Sequence, residues 1–201
     1  MSKKKDTSVP YELIWALVGV LLTIGSTFIK VFVIINAPWH WTTEGIRLHF
    51  MGISYQIGAV LLTGCLGGKK GGVLSQIAYI FIGLTILPVF SQGGGLTYYQ
   101  QPSFGYLLGF IPGAWLCGYL AFLAKPNLER LALSCLCGLA GIHICGIIYL
   151  ILFSYITSAN NALNQFWLWF GQYSINVLPG QLIIVCIITI ISYLFRLILF
   201  Y

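Results

Sequence analysis

Four carboxylates, three imidazoles and six thiols are the side chains of this chain able to serve as acid, base, nucleophile or metal ligand, and their spacing argues against each role. Asp6 and Glu12 stand near the N-terminus, Glu44 in a loop and Glu129 at a helix start. A hydrolase, a metal enzyme or a proton-coupled carrier gathers carboxylates or histidines around its reacting centre. Here His40 and His49 flank one loop, and His143 sits alone in a predicted helix among Gly and Cys, where hydrogen-bonded packing is the expectation. Cys135 and Cys137 look like a redox or zinc pair, but residues two apart on a helix point to different sides. All six cysteines fall inside apolar segments and read as small packing groups. The chain therefore reads as no enzyme, with no cofactor and no metal.

What remains is neutral hydrogen bonding. A small amphipathic ligand needs a mostly apolar pocket with a few placed polar groups, and the sequence supplies them at three places. Gln56 follows Tyr55. Gln92, Ser103 and Tyr106 lie in and after a Gly-, Gln- and Tyr-rich loop, and Gln181 begins the last apolar segment. A carboxylate on such a ligand would seek Arg47 or Lys30, of which Arg47, beside the expected start of the second helix, is the better placed.

The elements that position these groups lie in a membrane. Between Arg130 and Arg196 there are 65 residues with no Asp, Glu, Lys or Arg, and between Lys70 and Lys125 another 54. With 59% hydrophobic and 7% charged residues, few soluble folds would hide the apolar surface. At about 20 residues per crossing, the chain is expected to be an all-α polytopic membrane protein with six transmembrane helices. A tail at residues 1–10 precedes a single membrane domain over 11–201. The expected helices cover 11–36, 48–66, 73–90, 105–124, 128–157 and 178–201, with a tight reversal at Gly67 to Gly72. Phe166 to Phe170 is too short to span and aromatic enough for the interface.

Eight of the ten cations fall in the tail, the second loop, the fourth loop and the C-terminal end, whereas Lys30 and Arg47 alone occupy the first loop. The positive-inside rule then makes both termini cytoplasmic. Cations at the ends of apolar runs are topology signals, so the formal charge of +6 does not indicate nucleic acid. The first helix carries small residues at Ala16, Gly19 and Thr23, a spacing that permits close helix approach.

The segment from Leu87 to Phe110 has a more specific pattern: Leu87-Pro88-Val89-Phe90, then Gln92-Gly93-Gly94-Gly95, then Pro102-Ser103-Phe104-Gly105-Tyr106-Leu107-Leu108-Gly109-Phe110. It resembles the BioY family of biotin transporters, the substrate-binding S-components of energy-coupling-factor transporters, whose pattern runs LPVF, a glycine-rich loop, then GPTGGYLLGF. Tyr55-Gln56 is similar to the family's T-L-Q, and Pro179-Gly180-Gln181-Leu182-Ile183 to its P-G-D-L-I-K. The chain departs from the pattern at Ser103-Phe104 and at Gln181 and Ile184, where the family has an acid and a base. The resemblance implies a multi-pass protein of the cell (plasma) membrane that binds biotin or a related small molecule. It also implies a transmembrane scaffold subunit and an ATPase pair as partners, with Ala16, Gly19 and Thr23 as the docking face. Gly67 to Gly72 lacks the spacing of a phosphate-binding loop, so the energy would come from those partners. The other reading is a structural or assembly subunit that keeps the fold without the ligand, since the charged pair is missing.

Overall fold

The computed structural model describes residues 9–35, 45–157 and 161–200; the tail lysines, Asp6, His40 and Glu44 lie outside the described residues. In chain order the elements are α1 (Val9–Thr27), β1 (Lys30–Ile34), β2 (Leu48–Ser54), α2 (Gln56–Thr85), α3 (Phe104–Ala121), α4 (Leu128–Thr157), α5 (Ala162–Phe170) and α6 (Leu178–Phe200). Among the described residues four stretches, Val9–Thr27, Phe104–Ala121, Leu128–Thr157 and Ala162–Leu199, are long and apolar enough to cross a membrane.

α2 is a hairpin. Gly68 has φ 70° and ψ −176°, a left-handed conformation that glycine adopts without Cβ strain, and the chain turns back on itself there. Gln56 Nε2 lies 2.8 Å from Tyr79 OH across 23 residues, a separation that would extend about 35 Å along a straight helix. The expected reversal at Gly67 to Gly72 is thus present. A Cβ added to Gly118 would fall 2.5 Å from the backbone at Gly68, so α3 closes directly onto the turn. Glycines also bring α3 and α4 together: a Cβ at Gly109 would meet the Ile142 carbonyl oxygen at 2.7 Å, and one at Gly113 the Gly138 carbonyl oxygen at 2.9 Å. Small residues at such steps are how helices associate where lipid removes the hydrophobic drive between them.

Three expected helix boundaries are corrected. The first helix ends at Thr27, not near residue 36, and Leu48–Ser54 is a strand rather than the start of the second helix. β1 and β2 pair antiparallel, with Phe32 opposite Phe50 and Ile34 opposite Leu48. The run Val31, Val33, Ile34 is stiff at χ1 and favours a pleated strand. Thr27 Oγ1 donates to the Thr23 carbonyl at 2.7 Å in the last turn of α1. The third expected helix likewise stops at Thr85, because Pro88 disfavours helical backbone in the residue before it. The fold is mainly helical rather than all-α.

The small-residue stripe of α1 faces the hairpin. A Cβ on Gly19 would fall 2.4 Å from Thr63 Cγ2 and 2.7 Å from Ser75 Cβ. Thr23 is fully buried and accepts from Gln76 Nε2 at 3.2 Å. Ala16 is half-buried, while Leu13, Ile14, Leu17 and Leu21 form the exposed side. Gly19 and Thr23 are therefore occupied inside the protomer. Cations collect at the end of the bundle that holds the Gly68 turn: Lys70 Nζ pairs with Glu12 at 3.3 Å, and Arg196 Nη1 donates to the Ala121 carbonyl at 2.6 Å.

Gly19→Leu should therefore destabilise the bundle, by about 2 kcal/mol or more for such overpacking. This is read as a fall of roughly 5 °C or more in apparent Tm in detergent. Gly25→Leu, where nothing lies within 4 Å of an added Cβ, should melt like the parent.

Candidate functional site

At the end of the bundle opposite the Gly68 turn, a cavity of about 430 Å³ opens among the end of α1, the β1–β2 hairpin, the start of α2, the 86–103 loop, α3, the turn at 171–175 and the start of α6. Phe50, Ile53, Ile57, Leu107, Phe110 and Val177 supply apolar wall. Gln56, Gln92, Ser103, Tyr106 and Gln181 all line it, although they come from three separate parts of the sequence. Gln56, Tyr106 and Gln181 are buried, whereas Gln92 is exposed at the rim.

The 86–103 loop is seated by contacts only glycine permits. A Cβ on Gly83 would fall 2.2 Å from the Phe90 ring, so Phe90 packs directly onto α2 at this glycine and is buried. Gly95 N–H donates to the Gly83 carbonyl at 2.9 Å. Phe90 in turn packs on Tyr79 and on Tyr98, with ring centroids 5.4 and 4.6 Å away. Tyr98 then forms part of the cavity wall.

Gln56, Tyr106 and Gln181 each have a defined partner. Gln56 Nε2 donates to Tyr79 OH at 2.8 Å, and Tyr79 donates to the Val89 carbonyl at 3.2 Å. This leaves Gln56 Oε1 as an acceptor. Tyr106 OH lies 2.6 Å from Ser174 Oγ, and Ser174 Oγ lies 3.1 Å from His143 Nδ1. His143 Nε2 lies 2.7 Å from Gln181 Oε1. Ser103 Oγ is buried without a protein hydrogen bond, an uncommitted group on the cavity wall.

Arg47 is not among the lining residues; it is exposed at the start of β2, where its carbonyl accepts from Ile35 N–H at 3.1 Å. Lys30 lines the cavity instead, with Nζ 5.4 Å over the Phe50 ring. The difference follows from the strand pairing, which carries Lys30 to the register of Ser54. His143 is hydrogen-bonded, as expected of it, but sequence reasoning did not place it behind the cavity and missed Ser174. A lone His in an apolar helix gave no sign of its partners, and Ser174 comes from a π turn, Gly171–Ile175, that no local pattern announces. Cys65, Cys117 and Cys135 also come together, with Cys65 Sγ 3.4 Å and 3.6 Å from the other two. They are buried in the core beside Leu61, Leu131 and Ile184, and none of them lines the cavity.

The sequence matches the BioY family over residues 1–199. The chain belongs to the BioY family. A "Probable biotin transporter BioY" of Lysinibacillus sphaericus is 42% identical over 106 residues, 52% of this chain and 54% of that protein. The chain thus aligns with about half the length of that relative. A 21.2 kDa protein of Cyanophora paradoxa, encoded in a psbX-ycf33 intergenic region, is 30% identical over 197 residues, 96% of this chain and 98% of its own. The fold is similar to a crystal structure of the S-component for biotin from an ECF-type ABC transporter, with a TM-score of 0.65 at 20% identity over 95% of both chains. Within this BioY-family chain, the loop that closes the cavity depends on Gly83. Gly83→Val should unseat Phe90 and make the 86–103 loop accessible to protease in the detergent-solubilised protein. A cleavage pattern identical to the parent would show that the loop holds without that contact.

Proposed function

We propose that this chain is a multi-pass protein of the cell membrane that captures biotin or a closely related small molecule for uptake, energised by a separate scaffold subunit and ATPase pair. The observation that carries the proposal is the cavity: apolar wall, buried amides and hydroxyls, and one cation at the rim, in a chain of the BioY family. The names of its relatives and of its structural neighbour supply the ligand class. A urea-like head group suits Gln56 Oε1, Ser103 Oγ, Tyr106 and Gln181, and a carboxylate tail suits Lys30.

On this reading each arm of α2, residues 56–67 and 69–85, crosses with the four longer stretches to give six crossings and both termini on the cytoplasmic side. The grouping of Glu12, Lys70 and Arg196 at the Gly68 end supports that orientation. The cavity then opens outward, as capture requires. Scaffold contact falls on the exposed side of α1 next to Ala16, since Gly19 and Thr23 are covered within the protomer. A purely structural subunit is the second reading; the uncommitted Ser103 Oγ inside a formed cavity favours the binder.

Calorimetry of the purified full chain with biotin tests the reading: saturable binding is expected, and its absence, with a stoichiometric protein partner by native mass spectrometry, would favour the structural subunit. Lys30→Gln should weaken biotin by roughly two- to fivefold, the scale of a partly exposed ion pair. The same variant should leave biotinamide, which lacks the carboxylate, unchanged. An added C-terminal Cys should resist labelling from outside intact cells, and ready labelling would reverse the topology.

A further inference from the structure

Two of the cavity's polar groups are joined behind the wall. Tyr106 and Gln181 line the cavity, whereas Ser174 and His143 do not, yet these four make one continuous chain with steps of 2.6, 3.1 and 2.7 Å. Ser174, His143 and Gln181 are 2%, 9% and 4% exposed, so little water competes for these bonds. A neutral imidazole offers one donor and one acceptor. The chain therefore has a direction.

With Gln181 Oε1 against the ring, His143 carries its hydrogen on Nε2 and accepts at Nδ1 from Ser174. Ser174 Oγ then accepts from Tyr106 O–H. The cavity meets the Tyr106 oxygen as an acceptor and the Gln181 amide N–H as a donor. In the other tautomer every bond is reversed: Gln181 donates to Nε2, Nδ1–H donates to Ser174, and Ser174 donates to Tyr106. The cavity then meets a Tyr106 donor and a Gln181 acceptor. Either arrangement shows the ligand one donor and one acceptor, never two of a kind.

We propose that His143 is a positioning residue that couples Tyr106 to Gln181 through Ser174, making this wall selective for a head group that pairs a carbonyl with an adjacent N–H. The inference rests on the biotin reading above and deepens it, because it assigns the discrimination to two residues that do not line the cavity. Gln56 adds a fixed acceptor, so a head group with two N–H groups beside one carbonyl is matched. One that only donates leaves a donor of the wall facing a donor of the ligand, whichever tautomer is present.

Paired calorimetry with biotin and 2-iminobiotin tests this. In protonated 2-iminobiotin a nitrogen replaces the ureido oxygen, so the head group only donates. Breaking the coupling frees Tyr106 and Gln181 to present two acceptors together. His143→Leu and Ser174→Ala should each lower the preference for biotin over 2-iminobiotin by about fivefold or more, the scale of one net hydrogen bond. The double variant should lower it no further, because both changes cut the same chain. A residue that merely supports the fold would weaken both ligands alike and leave their ratio unchanged. An unchanged ratio in Ser174→Ala, with biotin still bound, overturns the coupling while leaving the biotin reading intact. Wild-type protein that binds neither ligand overturns that reading and the coupling with it. Ser174→Ala removes one oxygen and decides the outcome even where His143→Leu fails to fold.

Discussion

Hydrocarbon offers a polar side chain no hydrogen bond, so the orientation of an amide or hydroxyl inside this bundle is set by the partner it finds within the protein. Among the buried polar side chains facing the cavity those partners are neutral: Tyr79 for Gln56, Ser174 for Tyr106 and His143 for Gln181. Interhelical hydrogen bonds in membranes contribute only about 0.6 kcal/mol on average. Their main effect here is orientation, since each fixes which end of an amide faces the cavity. Which donors and acceptors the cavity wall presents is thus set one layer behind the residues that form it.

That layer requires backbones to come close. The Gly68 reversal brings Gln56 to Tyr79, and a Cβ on Gly146 would lie 2.4 Å from the Tyr106 ring, so a glycine on α4 makes room for Tyr106 to reach Ser174. Gly83 does the same for Phe90. Packing of this kind is dispersion over short distances, and it does not depend on an apolar drive that lipid has already removed.

The parts of the fold governed by local rules were legible in the sequence. Gly67 to Gly72 marked a reversal because glycines and lysines have little other use in an apolar run, and Gln56, Gln92, Ser103, Tyr106 and Gln181 stood out as neutral polar groups at segment ends. The β1–β2 hairpin was not legible, since Val31 to Ile35 is as apolar as a spanning helix and only its pairing with Leu48–Ser54 decides for strand. That pairing also decides between Lys30 and Arg47. The stripe Ala16, Gly19, Thr23 announced close approach correctly but not toward what; Thr63 and Ser75 belong to a hairpin whose position the first helix cannot reveal.

The departure at Gln181 and Ile184 acquires a physical reason from the same constraint. The resemblance puts an acid and a base at these positions, one turn apart on the last helix. Here Ile184 is fully buried among Leu61, Cys65 and Val185, and its Cγ2 would lie 2.9 Å from a Cβ on Gly58. A lysine there would carry an ammonium into apolar core at a cost of several kcal/mol unless it were paired. An acid at 181 would in turn lose that base. The chain avoids both charges by taking the partner for position 181 from α4: His143 meets a neutral Gln181 at 2.7 Å. Neutral hydrogen bonds are about half as strong as charge-assisted ones, but they carry direction, and direction is what a ligand without charge on its head group needs from the wall. The three residues Gln181, Ile184 and His143 therefore form one set, in which changing any single member toward the charged pattern strands a charge or an unpaired donor in the bundle.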